Sequence, residues 1–278
     1  MRRHLLLKNR KLLAGPYLFW SVSFIIIPLL MIFYYGLTDK EGTFTWSNIA
    51  MMASPENLKA LGLALLLSLV STLICLVLAY PLAMILSEKN MNQTSLIVLI
   101  FILPMWMNFL LRTLAWQTLL EKNGVINSIL AFFHLPQQSI INTPGAIVLG
   151  MVYNFLPFMV LQINTALCKM DPSLLEASAD LGANRVQTFR RVTLPLSLPG
   201  VINGITLVFL PAVSSFFIPK LLGGGQYFLI GNMIENQFIT VGEWNFGSAI
   251  SMIMAVIMMV LMMVVRKIEI RNQGGKGV

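Results

Sequence analysis

The sequence predicts an all-α membrane protein with six transmembrane helices and both termini in the cytoplasm. Three observations carry that expectation. Of the 278 residues, 57% are hydrophobic and only 11% charged, against roughly 25% charged in ordinary soluble domains. Six apolar stretches, residues 14–36, 61–86, 95–119, 144–168, 200–219 and 247–265, each reach the about 20 residues needed to cross a hydrocarbon core of about 30 Å. With the N-terminus inside, 14 of the 19 Lys and Arg fall on inner segments, the enrichment that marks cytoplasmic loops.

Residues 1–13 form a basic cytoplasmic start containing Arg2, Arg3, Lys8, Arg10 and Lys11. A secretory signal begins the same way, but the apolar run from Leu12 to Leu37 exceeds a signal core of about 7–15 residues and no small-x-small site follows it. The first helix is therefore expected to be retained. Lys89, the group Lys169, Arg185, Arg190 and Arg191, and the group Arg266, Lys267, Arg271 and Lys276 fall inside, whereas Lys40, Lys59, Lys122 and Lys220 fall outside. Each of the first five stretches carries one interior proline: Pro28, Pro81, Pro104, Pro157 and Pro211. These either bend helices around a pathway or reflect the general abundance of proline in membrane helices. The fourth stretch opens at Asn142-Thr143-Pro144, with Thr143 placed to cap and Pro144 at the first helical position. Trp244-Asn245-Phe246-Gly247 makes an aromatic entry to the sixth, suited to the membrane interface. Residues 14–268 are read as the transmembrane domain and 269–278 as a flexible cytoplasmic tail.

Charge placement excludes several functions. None of the 11 acids lies deep in a span, which argues against a proton-driven or sodium-driven carrier with midplane carboxylates. The net charge of +8 sits at membrane edges and not on one compact face, so no nucleic-acid partner is expected. Cys75 and Cys168 both fall in predicted helices, against a disulfide framework. Arg112 lies in the third stretch near its outer end, placed to snorkel, to pair with a neighbouring subunit or to meet a ligand. No H-E-x-x-H or G-x-S-x-G motif appears, His4 and His134 lie outside the spans, and no metal site is expected. The nearest approach to a phosphate-binding G-x-x-x-x-G-K-[ST] loop is Gly275-Lys276-Gly277, with no hydroxyl residue after the lysine.

The loop at 169–199 is the most informative stretch. Asp171-Pro172 reads as a helix start, Leu174, Ser178 and Leu181 share one face, and Gly182 is placed to end the helix in a left-handed conformation. Asn184 caps a second helix running to about Thr193, with Val186, Phe189 and Val192 on one stripe, until Pro195 and Pro199 stop it. Two short amphipathic helices meeting at a glycine form either a docking projection for a partner's groove or a folded-back interfacial hairpin. The run Glu176-Ala177-Ser178-Ala179-Asp180-Leu181-Gly182, then nine residues, then Val192-Thr193-Leu194-Pro195, resembles the EAA signature of bacterial ATP-binding-cassette import permeases, E-A-A, three residues, G, nine residues, I-x-L-P. Ser178 stands for the second alanine and Val192 for the isoleucine.

That resemblance implies a type I importer permease fold of the MetI-like kind, with Glu176, Ala177, Asp180, Gly182, Arg185, Phe189, Leu194 and Pro195 forming the part that seats in an ATPase subunit. It also implies a pseudo-symmetric second permease, two ATPase subunits that use the ATP and magnesium, and no catalysis or cofactor in this chain. Leu103-Pro104-Met105-Trp106, Leu111-Arg112, Leu156-Pro157-Phe158-Met159, Leu222-Gly223-Gly224, Ile230-Gly231-Asn232, Gln237-Phe238, Trp244 and Phe246-Gly247 are similar to the spermidine/putrescine permeases of that family, over about 100–265. An extracytoplasmic polyamine-binding protein would then deliver the cargo. A polycation in such a pore would be held by aromatic faces and neutral oxygens, for which Trp106, Tyr153 and Asn154 are candidates, with Glu235 and Glu243 at the external mouth. The alternative keeps the architecture and changes the cargo to sulfate, iron or an opine, and Arg112 would suit an anion.

Overall fold

In the computed structural model, which describes residues 15–87, 103 and 105–274, the regular elements are helices and the one β-type contact is an isolated bridge between Thr38 and Phe44. In chain order they are α1 (Gly15–Gly36), α2 (Ser47–Met51), α3 (Pro55–Ser87), α4 (Phe109–Leu120), α5 (Val125–Phe132), α6 (Pro144–Cys168), α7 (Ser173–Asp180), α8 (Arg185–Ser214), α9 (Phe217–Leu222), α10 (Ile230–Asn236) and α11 (Trp244–Gly274). Among the described residues five helices are long and apolar enough to cross a membrane: α1, α3, α6, α8 and the Trp244–Ile268 part of α11. The basic start at 1–13, His4, Lys89, residues 95–102 of the third predicted stretch, Pro104, and Gly275-Lys276-Gly277 lie outside the described residues. In the described part of the third stretch Leu103, Met105 and Trp106 are helical, and a new helix starts at Phe109, because Asn108 leaves the helical region (φ −56°, ψ 127°) and caps the turn by accepting from Leu110 N at 2.8 Å. At the other end, residues 269–274, expected to be a flexible tail, continue α11.

The chain divides into two compact units. One comprises the residues up to Leu58 together with Ile234–Ile257. Here the end of α1 meets the start of α11. A Cβ on Gly36 would lie 3.2 Å from Ala249 N, so the helices touch by backbone. Asn245 Nδ2 donates to the Thr38 carbonyl at 2.7 Å and to the Tyr35 carbonyl at 3.2 Å, and Asn48 Nδ2 joins it on Thr38 O at 2.8 Å. These amides satisfy carbonyls that a helix end leaves without partners. Trp244 packs its ring against Tyr35 and Phe238.

The other unit comprises Lys59–Met233 and the residues from Met258 on. Its centre is the pairing of α6 with α8, where Met151, Met159, Ile163, Val208 and Ala212 are fully buried. Close approach comes from Gly200 and Gly204, a small-xxx-small pair on α8. A Cβ on Gly200 would stand 2.6 Å from the Gln162 carbonyl, and one on Gly204 would stand 2.5 Å from Met159 Sδ. Ser71 and Tyr80 bring α3 in, through Met151 Sδ at 3.5 Å and Ser197 Oγ at 2.6 Å. The segment after α8 folds back on the same core. Gly150 lies beneath Ile218 and Leu222 of α9, Asn142 N donates to Leu222 O at 2.9 Å, and Asn232 Nδ2 donates to Phe216 O at 2.8 Å.

Pro195 and Pro199 do not end the helix that Asn184 starts. α8 runs unbroken for 30 residues, because the chain widens to an i→i+5 turn over Phe189–Thr193, with Leu194 N donating to Phe189 O. A proline removes one donor and crowds the carbonyl four residues back. For Pro195 that carbonyl belongs to Arg191, inside the wide turn. The same solution appears in α1, where Val22–Ile26 forms a wide turn just before Ile27-Pro28.

Candidate functional site

The loop between α6 and α8 is built from local interactions readable residue by residue. Asp171 Oδ1 accepts from Ser173 N at 3.0 Å, and bonds from the Ser173 backbone and hydroxyl hold its carboxyl below the usual range. α7 starts at Ser173, so Pro172 stands just outside the helix it was expected to open. At its far end Gly182 has φ +77°. Gly182 N donates to Ala179 O at 2.8 Å and Ala183 N to Ser178 O at 3.1 Å, the paired bonds of a Schellman ending. Nothing lies within 4 Å of a Cβ built on Gly182, so backbone conformation and not space demands glycine here. Asn184 Oδ1 accepts from Gln187 N, and Gln187 Oε1 accepts from Asn184 N, both at 2.9 Å, a complete capping box.

Ser178 and Thr188 share a hydrogen bond of 2.8 Å that joins α7 to the start of α8, and Ser178 is buried. The serine that replaces the motif's second alanine is thus the clasp between the two helices. Beyond the clasp the surface is open. Glu176, Ala177, Asp180, Gly182 and Arg185 are exposed, Leu181 is 88% exposed and Val186 64%. Phe189 points the other way, stacking edge-on against Tyr80 of α3 with centroids 5.4 Å apart. Leu194 and Pro195 lie at the same root, part-exposed and part-buried. The eight residues expected to seat in a partner therefore divide into an exposed tip and an anchoring root. Beneath the root, Gln162, Lys169, Asp171, Leu174 and Asn203 line a cavity of about 380 Å³.

The expected pathway residues do not form one group. Tyr153 is 37% exposed, and its aromatic partner is Trp116 of α4 at 5.2 Å, a residue the sequence did not single out. Asn154 is 1% exposed, with its amide turned back onto Gly150 O at 2.9 Å, and it presents no surface to a solute. Trp106 is 77% exposed. Glu235 is part-buried, whereas Glu243 is engaged by Lys40 Nζ at 2.5 Å beside a cavity of about 620 Å³ lined by Asp39, Asn48, Gln237 and Asn245. Arg112 differs most from expectation. It stands in the first turn of α4, 7% exposed, with its guanidinium 6.0 Å from the Phe109 ring centroid, so it does not snorkel. The break at Asn108, which moves the helix start to within one turn of Arg112, is the reason. Among the described residues no three His, Cys, Asp or Glu gather as metal ligands.

Long apolar helices, with a clasped, exposed helical pair between two of them, describe a membrane transport subunit. The chain belongs to the family of binding-protein-dependent transport system inner membrane components, whose profile matches residues 61–271, and it is an inner-membrane protein. It is 35% identical over 258 residues to the spermidine/putrescine transport system permease protein PotB of Haemophilus influenzae, with 90% of each chain covered. Its fold is that of ATP-binding-cassette importer permeases. It matches a chain in the crystal structure of a bacterial ABC transporter involved in import of the acidic polysaccharide alginate (TM-score 0.82, 18% identity, 98% and 99% of the two chains covered). It also matches one in the inward-facing MetNI methionine ABC transporter (TM-score 0.58, 20% identity, 77% and 95% covered).

Proposed function

We propose that this chain is a permease subunit of an ATP-driven polyamine importer, forming half of the translocation pathway beside a second permease. Two separate ATPase subunits would bind the ATP and magnesium, and an extracytoplasmic polyamine-binding protein would deliver the cargo. This chain would perform no catalysis itself. The observation that carries the coupling role is the exposed tip: Leu181 and Val186 offer apolar surface on a frame fixed by Asp171, Gly182, the Asn184–Gln187 box and the Ser178–Thr188 clasp. An exposed apolar patch on a rigid mount suits a groove in a partner protein. Glu176, Asp180 and Arg185 would form its polar rim.

The cargo reading is supported by the 35% identity to PotB, which covers 90% of each chain. For a polycation, the faces of Trp106 and of the Trp116–Tyr153 pair would contribute cation–π contacts of about 0.5–2 kcal/mol each. Glu235 and Glu243 would attract it at the outer mouth, and Lys40 would have to release Glu243 as it arrives. In vesicles containing the complete complex, radiolabelled spermidine uptake should depend on ATP and fall when unlabelled putrescine is added. Intact ATPase activity with no spermidine uptake would overturn the cargo reading and leave the coupling role standing.

A further inference from the structure

Two buried polar groups have no place in the role proposed above. Arg112, 7% exposed, has Nε and Nη1 without a hydrogen-bond partner among the described residues. Asn154, 1% exposed, has Oδ1 in the same condition while its Nδ2 is used on Gly150 O. A guanidinium has donors only, and an amide oxygen is an acceptor, so the two unmet needs are complementary. Such groups are rare in folded proteins, and a buried unpaired cation is the most expensive kind.

The two side chains belong to touching helices. α4 packs on both α6 and α9. Trp116 follows Arg112 by one turn on the same face of α4 and meets Tyr153, the sequence neighbour of Asn154. Asn154 follows Gly150 by one turn, on the face of α6 that Ile218 and Leu222 of α9 cover. Spare donors and spare acceptor thus stand on two helices that pack against each other.

We propose that Arg112 and Asn154 are two halves of a pair that is open in the state seen here and closes in another state of the transport cycle, Arg112 Nε and Nη1 then donating to Asn154 Oδ1. Arg112 is on this view a positioning residue that biases the equilibrium between states. The inference rests on reading the chain as an alternating-access permease, but not on the identity of its cargo. An element that changes partners between two discrete arrangements needs groups satisfied differently in each. An arginine with two unpartnered donors, on the helix packed against the one that carries an unpartnered amide oxygen, meets that need.

The test uses the complete complex with Cys75→Ala and Cys168→Ser, carrying Leu114→Cys on α4 and Phe158→Cys on α6, cross-linked by a short bifunctional thiol reagent without nucleotide and with a non-hydrolysable ATP analogue. Yield should differ several-fold between the two conditions. Asn154→Asp, which turns the contact into an ion pair, should shift yield toward the paired state in both conditions. The similarly sized but apolar Asn154→Leu should shift it the opposite way. In an Arg112→Gln background both shifts should vanish, and Arg112→Lys should restore part of them. Parallel shifts, no shifts, or shifts that persist without Arg112 would overturn the pair. If Arg112→Gln does not assemble with the ATPase, the opposed directions of the two Asn154 variants decide. Uptake is followed alongside: a parent complex that transports nothing counts against the importer reading, whereas normal uptake with state-independent cross-linking counts against the pair alone.

Discussion

Gly182 is the residue whose replacement separates folding from coupling most cleanly. With φ at +77° and no neighbour within 4 Å of a Cβ, Gly182→Val meets backbone strain alone, of about 1–3 kcal/mol, concentrated in the loop. The chain should insert at normal levels, while co-purification with the ATPase subunit, or ATP-dependent uptake, is lost; Gly182→Asn should retain part, since asparagine tolerates this conformation. The clasp offers a second test. Ser178→Ala and Thr188→Val should each speed proteolytic cleavage of the 169–199 loop, and the double variant should be no worse than either single one, because both remove the same bond of about 0.5–1.5 kcal/mol. Asp171 adds a pH signature. Its carboxyl is held low by Ser173, so the contribution of the charged cap is present above the ordinary carboxyl value of about 3.9 and is lost as pH falls through the lowered one. Loop protection against an acid-active protease should hold from neutrality to about pH 4 and decline below it, and Asp171→Asn should remove the decline.

At the scale of elements, the α6–α8 pair sets the core, and its two glycines differ in what faces them. Gly200→Ala drives a methyl into the Gln162 carbonyl, which is backbone and cannot turn aside, whereas Gly204→Ala meets the end of the flexible Met159 side chain. Thermal unfolding in detergent should show Gly200→Ala destabilised by about 1–3 kcal/mol and Gly204→Ala by clearly less. Much of this architecture is legible in the residues. Thr143-Pro144, Asn184 and Gly182 specify helix ends by local chemistry, and they end helices where that chemistry predicts. Gly200 and Gly204, which the sequence reading did not single out, carry the small-xxx-small spacing of close helix packing. Other features depend on geometry that no local pattern encodes. Pro195 interrupts an ordinary helix but not one that has just widened by a residue per turn. Arg112 looks like an outer-end arginine until Asn108 restarts the helix beside it, and Asn154 is a pathway candidate by type until Gly150 sets its face against α9. Whether a polar side chain in a span faces a pore or a neighbouring helix is decided by packing partners remote in sequence.

For the whole molecule, the Lys and Arg distribution predicts both termini and the 169–199 loop on one side of the membrane. Alkaline phosphatase, active only outside, should therefore be silent when fused after Val278 and active when inserted within 223–228. The opposite pattern would reverse that topology, and the same activity at both positions would break it. The wide turn before Pro195 also has a mechanical meaning. Because α8 is unbroken from Arg185 to Ser214, a length of about 45 Å at 1.5 Å per residue, the exposed segment proposed to meet the ATPase and the segment packed along α6 belong to one lever, rooted where Phe189 leans on Tyr80. A hinge at the prolines would let the ATPase tilt the loop while the span stayed still. With the hinge filled in, a stroke delivered at Asn184 by the proposed ATPase partner would travel to Ser215 as a movement of the whole arm, with no additional linkage needed between that partner and the membrane helices.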